Sequence, residues 1–253
     1  MGKVIAVGGK GGVGKTLMVA LLIKLLKDDY HLLAIDADPA LGLTYAVNIN
    51  PQKTIWDIRE ALKEGPGRKK LLGSDKDAPL RDVIRNQVLV KLDGFDFLTM
   101  GRSEGPGCFC GINELLRYAI DSLTREYDMV LVDCEAGLEQ VNRRVLRNMD
   151  TLILITDPTV RGLQTIRLLN KIAMEHAAAE SSSLRTGLMF NRVDNEFLLD
   201  GLKKDLDIEI WGYLPDDPTV KEFDRKGESL LKFPESSPVC QSLMAAMPRL
   251  MRS

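Results

Sequence analysis

Residues Gly8-Gly9-Lys10-Gly11-Gly12-Val13-Gly14-Lys15-Thr16 restrict what this chain can fold into more than any other stretch. They follow an apolar run at 4–7 and precede an amphipathic segment that opens at Leu17. Strand, glycine loop, helix is the context that a phosphate-binding loop requires, and Gly9, Gly14, Lys15 and Thr16 fit its G-x-x-x-x-G-K-[ST] spacing. Glycines let the backbone curl until several N–H groups point at one phosphate chain. The following helix start adds partial positive charge. Lys15 is placed to reach the β- and γ-phosphates, and Thr16 to hold Mg²⁺. Gly11, Gly12, Val13 and Leu17 complete the expected contact surface. The motif predicts binding of a nucleotide, ATP, together with Mg²⁺.

The rest of the chain has a matching rhythm. Leu17, Leu21, Leu22, Leu25 and Leu26 recur at helical spacing. Residues 31–35 read as a buried strand that delivers Asp36-Ala37-Asp38-Pro39 to its C-terminal end, where parallel sheets collect their ligand-binding groups. Further strands are predicted at 95–100, 128–133, 151–156, 187–191 and 208–215, with helices at 113–126 and 160–178. The strand runs are continuous rather than alternating, as a parallel sheet covered on both faces demands. The fold class predicted is therefore α/β: a three-layer P-loop domain with a mostly parallel central sheet. At 253 residues, 45% of them apolar, one such domain over 1–253 accounts for the chain. Residues 48–94 are the least regular; a short helix at 56–62 and charged surface around 65–77 suggest an insertion.

Asp133 closes the apolar run 128–133, where it would hold the Mg²⁺ shell through water or Thr16. Asp133 and Gly137 have the D-x-x-x-G spacing of a segment that senses the γ-phosphate. Charge is nearly balanced, 34 Lys+Arg against 36 Asp+Glu, which argues against a general nucleic-acid binder. Met1-Gly2-Lys3 leads straight into the first strand, and no apolar run approaches the ~20 residues needed to cross a bilayer. The expectation is a cytoplasmic protein without stable membrane association. Residues 239–251 could form a helix, interrupted by Pro248 and carrying few cations, that packs on the core.

The second motif is Cys108-Phe109-Cys110, flanked by glycines. In an extended segment, positions i and i+2 project to one side, so both thiols could face one ligand. A helix start just downstream would favour the thiolate. Two thiolates leave a tetrahedral shell half filled, and a twofold dimer would bring four together. The ligand set suits zinc or an iron–sulfur cluster as well as nickel. Cys134 and Cys240 read as packed core thiols, and His31 and His176 lie far from every motif.

Lys10 carries a family resemblance. With it the loop reads Lys-Gly-Gly-x-Gly-Lys-Thr, which resembles the deviant phosphate-loop motif of the MinD/ParA and nitrogenase iron-protein class. That resemblance implies a homodimer in which Lys10 reaches the partner's nucleotide. It implies that Asp38 of the Asp-Pro pair orients the attacking water, making Lys10, Lys15 and Asp38 the catalytic set. It further implies that Asn191 and Arg192 form the base-recognition corner, with the backbone at Pro215 and Asp216 flanking adenine. Gly-Pro-Gly-Cys-Phe-Cys before a helix, with Asp-Cys-Glu-Ala-Gly-Leu-Glu at 133–139, is similar to the nickel-maturation ATPases of the CooC/AcsF type. Those serve carbon monoxide dehydrogenase and acetyl-CoA synthase. The implied cargo is Ni²⁺ held by Cys108 and Cys110 across the dimer, with Zn²⁺ also compatible. Two other readings fit parts of the pattern. An ATP-gated electron donor like the nitrogenase iron protein would need a second cysteine where Gln140 and Val141 stand. A MinD/ParA-like positioning ATPase would need a basic membrane-binding helix.

Overall fold

The computed structural model describes residues 2–63, 79–102, 110–136, 149–194 and 206–252, with the side chains of 63, 110 and 111 excepted. Eight strands form one sheet: β1 (Lys3–Gly9), β2 (Leu32–Ala37), β3 (Val90–Lys91), β4 (Phe95–Thr99), β5 (Met129–Cys134), β6 (Thr151–Thr156), β7 (Arg185–Phe190) and β8 (Ile210–Tyr213). Their order is β3-β4-β2-β5-β1-β6-β7-β8. Every pairing is parallel except the short antiparallel edge of β3 on β4. β1 is thus central, with β5 on one side and β6 on the other, and the chain reverses its lateral progress there. A crevice outside the carboxyl ends of the strands is expected at such a reversal.

Both sheet faces are covered, which explains the continuous apolar strands. Along β1, Val4 and Ala6 enter one core, while Ile5 and Val7 enter the other. The first core is shared with α3 (Ile55–Lys63), α4 (Leu80–Gln87), α5 (Cys110–Leu123) and α6 (Val160–Ala179). The second packs under α1 (Lys15–Leu26), α2 (Gly42–Ala46), α7 (Pro218–Lys226) and α8 (Pro238–Leu250). In α1 the residues from Met18 to Ile23 are all buried, so it is a core helix on nearly every side rather than one leucine stripe. Leu17 and Leu25 of that stripe are only half-buried.

Three sequence expectations change. Within 48–94 the described parts are ordered core rather than irregular: Ile55, Trp56, Ile58, Val83, Ile84 and Val88 are all buried, and β3 extends the sheet. The charged stretch around 65–77 lies outside the described residues. α5 starts at Cys110, three residues before the predicted start, and ends before a 3₁₀ turn at Thr124–Glu126. Pro248 does not interrupt α8, which runs on to Leu250; the proline removes the N–H that would reach the carbonyl one turn earlier, and only two helical residues follow it. As expected, α8 is a packing helix, with Val239, Cys240, Leu243, Ala246 and Leu250 buried. Among the described residues, no helix is long and apolar enough to cross a membrane.

Candidate functional site

The glycine loop leaves β1 and enters α1 with unusual economy. Gly14, at the N-cap, has φ 103°, and no side chain caps the helix. The first-turn N–H groups therefore lack a capping partner and point towards the loop's concave side, as anion binding requires. Gly14 has a second reason to be glycine: a Cβ there would lie 2.3 Å from Nδ2 of Asn191. Lys15 is buried at 7% exposure, and its Nζ donates to the Lys10 carbonyl at 3.2 Å, folded over the loop. Lys10 itself is exposed. The two lysines of the motif thus separate, one turned into the loop and one standing on its outer face.

Strand register places the acidic residues beside the loop. Val7 pairs with Asp133, and Asp133 pairs in turn with Asp36. Thr16 Oγ1 donates to Asp133 Oδ2 at 2.7 Å, while the buried Oδ1 of Asp133 has no hydrogen-bond partner. Burial first, then the neighbouring Asp36 and Asp38, push the Asp133 carboxyl up to about 7, against the opposing pull of Thr16 and Lys15. A buried carboxylate with one orphaned oxygen beside a threonine hydroxyl fits the outer shell of a hydrated Mg²⁺ ion. Thr16 and Asp133 are the residues that would hold it.

Asp36 and Asp38 divide their work. Asp36 is fully buried and accepts from the Thr44 amide at 2.8 Å, the Thr44 hydroxyl at 2.6 Å and the Asp38 amide at 3.2 Å. Burial raises its carboxyl while these donors hold it down. It anchors α2 to the sheet and does not face the cavity. Asp38 does line the cavity, and its Oδ1 accepts from the Ala40 amide at 2.8 Å. The turn beyond it needs Leu41 in the left-handed region, φ 60°. Gly42 then lies where a Cβ would approach Thr16 Oγ1 to 3.2 Å, so α2 starts against the loop.

These elements open into one cavity of about 420 Å³. Its lining includes Gly11, Gly12, Gly14, Lys15, Thr16, Leu17 and Asp38, together with Asn191, Arg192, Pro215 and Asp216. Of the expected contact residues, Gly9, Lys10 and Val13 do not line it; Gly9 and Val13 are buried behind the loop. Asn191 is 3% exposed, and its Nδ2 donates to the Val13 carbonyl at 2.8 Å while its Oδ1 accepts from the Arg192 amide at 2.9 Å. It therefore braces the loop, with one donor and one acceptor position left for a base.

Sequence reading missed the wall formed by α7. Asp217, Val220, Lys221 and Asp224 line the cavity. Asp217 caps α7 through the Thr219 amide at 2.9 Å and reaches the Val239 amide at 3.4 Å. Asp217-Pro218 before a helical run and Gly227 after it are a start and stop signal that could have revealed this helix. Its far end is tied to the segment after α2: Asn48 Nδ2 donates to the Gly227 carbonyl at 3.0 Å, and the Ser229 hydroxyl to the Val47 carbonyl at 3.0 Å.

Cys108 and Gly137 lie outside the described residues, as do Gln140 and Val141. The backbone of Cys110 forms the first residue of α5, and the arrangement of the two thiols lies outside the described residues. Cys134 and Cys240 are buried free thiols, and burial pushes both up, away from the thiolate. Among the described residues, no three His, Cys, Asp or Glu side chains converge as metal ligands.

A parallel sheet with a glycine loop, a buried lysine and a Thr–Asp pair at the ends of its central strands defines the class as a P-loop ATPase. Residues 2–185 match the AAA domain family, and the chain belongs to it. It is 40% identical over 240 residues to an uncharacterized ATP-binding protein of Methanocaldococcus jannaschii, spanning 93% of each chain. It is 30% identical over 257 residues to the carbon monoxide dehydrogenase accessory protein CooC of Rhodospirillum rubrum, spanning 96% of this chain and 95% of that one. The septum site-determining protein MinD of Pyrococcus horikoshii, complexed with Mg-ADP, shares the fold at TM-score 0.67 and 22% identity, covering 98% of this chain and 96% of that one.

Proposed function

We propose that this protein is an ATP-hydrolysing metallochaperone that works as a homodimer and delivers Ni²⁺ to an apo-enzyme of the carbon monoxide dehydrogenase/acetyl-CoA synthase type. The observation that carries this reading is the full-length similarity to CooC, whose name marks it as an accessory protein of carbon monoxide dehydrogenase. The site supports it through the separation of the two lysines: Lys15 is buried in the loop, while Lys10 is exposed where a second subunit could be met.

Each residue then has a task. The uncapped start of α1 and Lys15 bind the phosphates, and Lys15 offsets charge that builds on the γ-phosphoryl group. Thr16 and Asp133 would hold Mg²⁺, which would supply positive charge to offset that of the phosphates. Asp38, held in its turn by its own bond to Ala40, orients a water in line with the γ-phosphorus. Lys10 of the facing subunit completes the charge around the transferring group. The water oxygen bonds to phosphorus, the bond to the β–γ bridging oxygen breaks, and ADP and phosphate leave. The cargo Ni²⁺ is held by Cys108 and Cys110 of both subunits and is released when they separate. The burial of one face of α8 in the core speaks against a membrane-targeting role for that helix.

Equilibrium dialysis against Ni²⁺ with ATP and Mg²⁺ tests this. Wild-type protein is expected to bind one nickel per two chains and to elute as a dimer. Cys108→Ser/Cys110→Ser is expected to lose at least ~10-fold in nickel affinity while still hydrolysing ATP. Lys10→Ala is expected to remain monomeric with ATP. Stoichiometric nickel on the double cysteine variant would sink the cargo assignment.

A further inference from the structure

We propose that Asp224 reads the sugar of the bound nucleotide, accepting from its vicinal hydroxyls and making the cavity selective for ribonucleotides over 2′-deoxyribonucleotides. The inference rests on the cavity being the nucleotide site and adds a residue that the loop motif does not contain. Val220 and Asp224 are one helical turn apart on α7 and both face the cavity opposite the glycine loop. The other carboxylates on the lining are engaged. Asp38 accepts from the Ala40 amide, and Asp217 from the Thr219 and Val239 amides. Asp216 is paired with Lys221 at 2.7 Å. Among the described residues, the Asp224 carboxylate has no hydrogen-bond or ion-pair partner; its backbone carbonyl accepts from the Gly227 amide.

Charge and position then choose the nucleotide group it meets. A carboxylate is repelled by the triphosphate, which Lys15 and Thr16 fix at the loop end of the cavity. The base belongs at the Asn191–Pro215 corner, from which α7 departs, and the half-buried Val220 offers it an apolar face. Asp224 lies one turn beyond Val220, ~6 Å along the helix axis. The sugar, which joins base to phosphates, is the remaining part, and its hydroxyls are donors that suit two carboxylate oxygens.

Titration calorimetry with unlabelled ATP and 2′-deoxy-ATP in Mg²⁺ tests the proposal; labels attached through the sugar would block the groups in question. Wild-type protein is expected to prefer ATP by ~10-fold, the loss of one hydrogen bond to a charged acceptor. Asp224→Ala is expected to weaken ATP by ~10-fold and 2′-deoxy-ATP by much less, bringing their ratio close to one. Asp224→Asn should fall between. Asp224 is exposed on its helix, and matched thermal unfolding of the variants checks that folding is unchanged. Equal affinities in wild type, or equal losses for both nucleotides in Asp224→Ala, overturn the assignment. Binding of neither nucleotide to wild type would instead overturn the reading of the cavity itself.

Discussion

Lys15→Ala is expected to lower ATP turnover by ~10²–10³-fold, the cost of removing one preorganised charged donor from a phosphoryl-transfer site. The nucleotide-free protein should remain folded. Lys15 is the first residue of α1, and its Nζ donates to the Lys10 carbonyl while the residue lines the cavity. Thermal unfolding with and without Mg-ATP reads both effects together. Wild type should be stabilised by the nucleotide, whereas the variant should show almost no shift and should still unfold cooperatively in its absence. A variant that keeps the ATP-dependent shift and the turnover would remove Lys15 from the site.

Asp133→Asn is expected to stabilise the nucleotide- and magnesium-free protein while abolishing hydrolysis. The folded carboxyl titrates near 7 because burial disfavours its charge, well above the 3.8 of an unhindered aspartate. Between these values the folded state holds a proton that the unfolded state has released. The stability attached to this group is therefore present below about pH 4 and lost as pH rises through 7. Asparagine keeps an acceptor for Thr16 and does not titrate. In urea unfolding without Mg²⁺, the variant should exceed wild type by ~1–3 kcal/mol at pH 8, and the gap should close towards pH 4. A gap that widens on acidification would show the opposite sign of coupling and would refute the burial argument. The variant's missing turnover reports the other half of the residue's role, as a partner for Mg²⁺.

What could be read from the sequence divides along physical lines. The glycine loop, Asp133 and the central strands were legible because their signals are local: a fixed spacing and continuous apolar runs that no other element of this length explains. Asp36 and Asp38 both sat at the right strand end, yet their division of labour depends on Thr44, eight residues after Asp36 and brought back by a left-handed residue at Leu41. Asn191 lines the cavity, but its brace to the Val13 carbonyl spans 178 positions, a distance over which local pattern carries no information. α7 went unread although its capping residues were in plain view. Its polar exterior lacks a fully buried residue, so apolar periodicity passed over it. Cys110 was read as part of a glycine-flanked loop, whereas its backbone is already the first residue of α5.

The tie between the segment after α2 and the end of α7 gives the cavity a mechanical property that its list of contacts does not show. α2 is pinned to the sheet through Thr44 and Asp36, and just past it Val47 and Asn48 hold Ser229 and Gly227. The strap that carries Asp38 and the α7 wall of the cavity are consequently two ends of one linkage. A swing of that strap must carry α7 with it or give up two hydrogen bonds, ~1 kcal/mol each. On the proposed function, a movement of Asp38 on loss of the terminal phosphate is expected to be transmitted to α7.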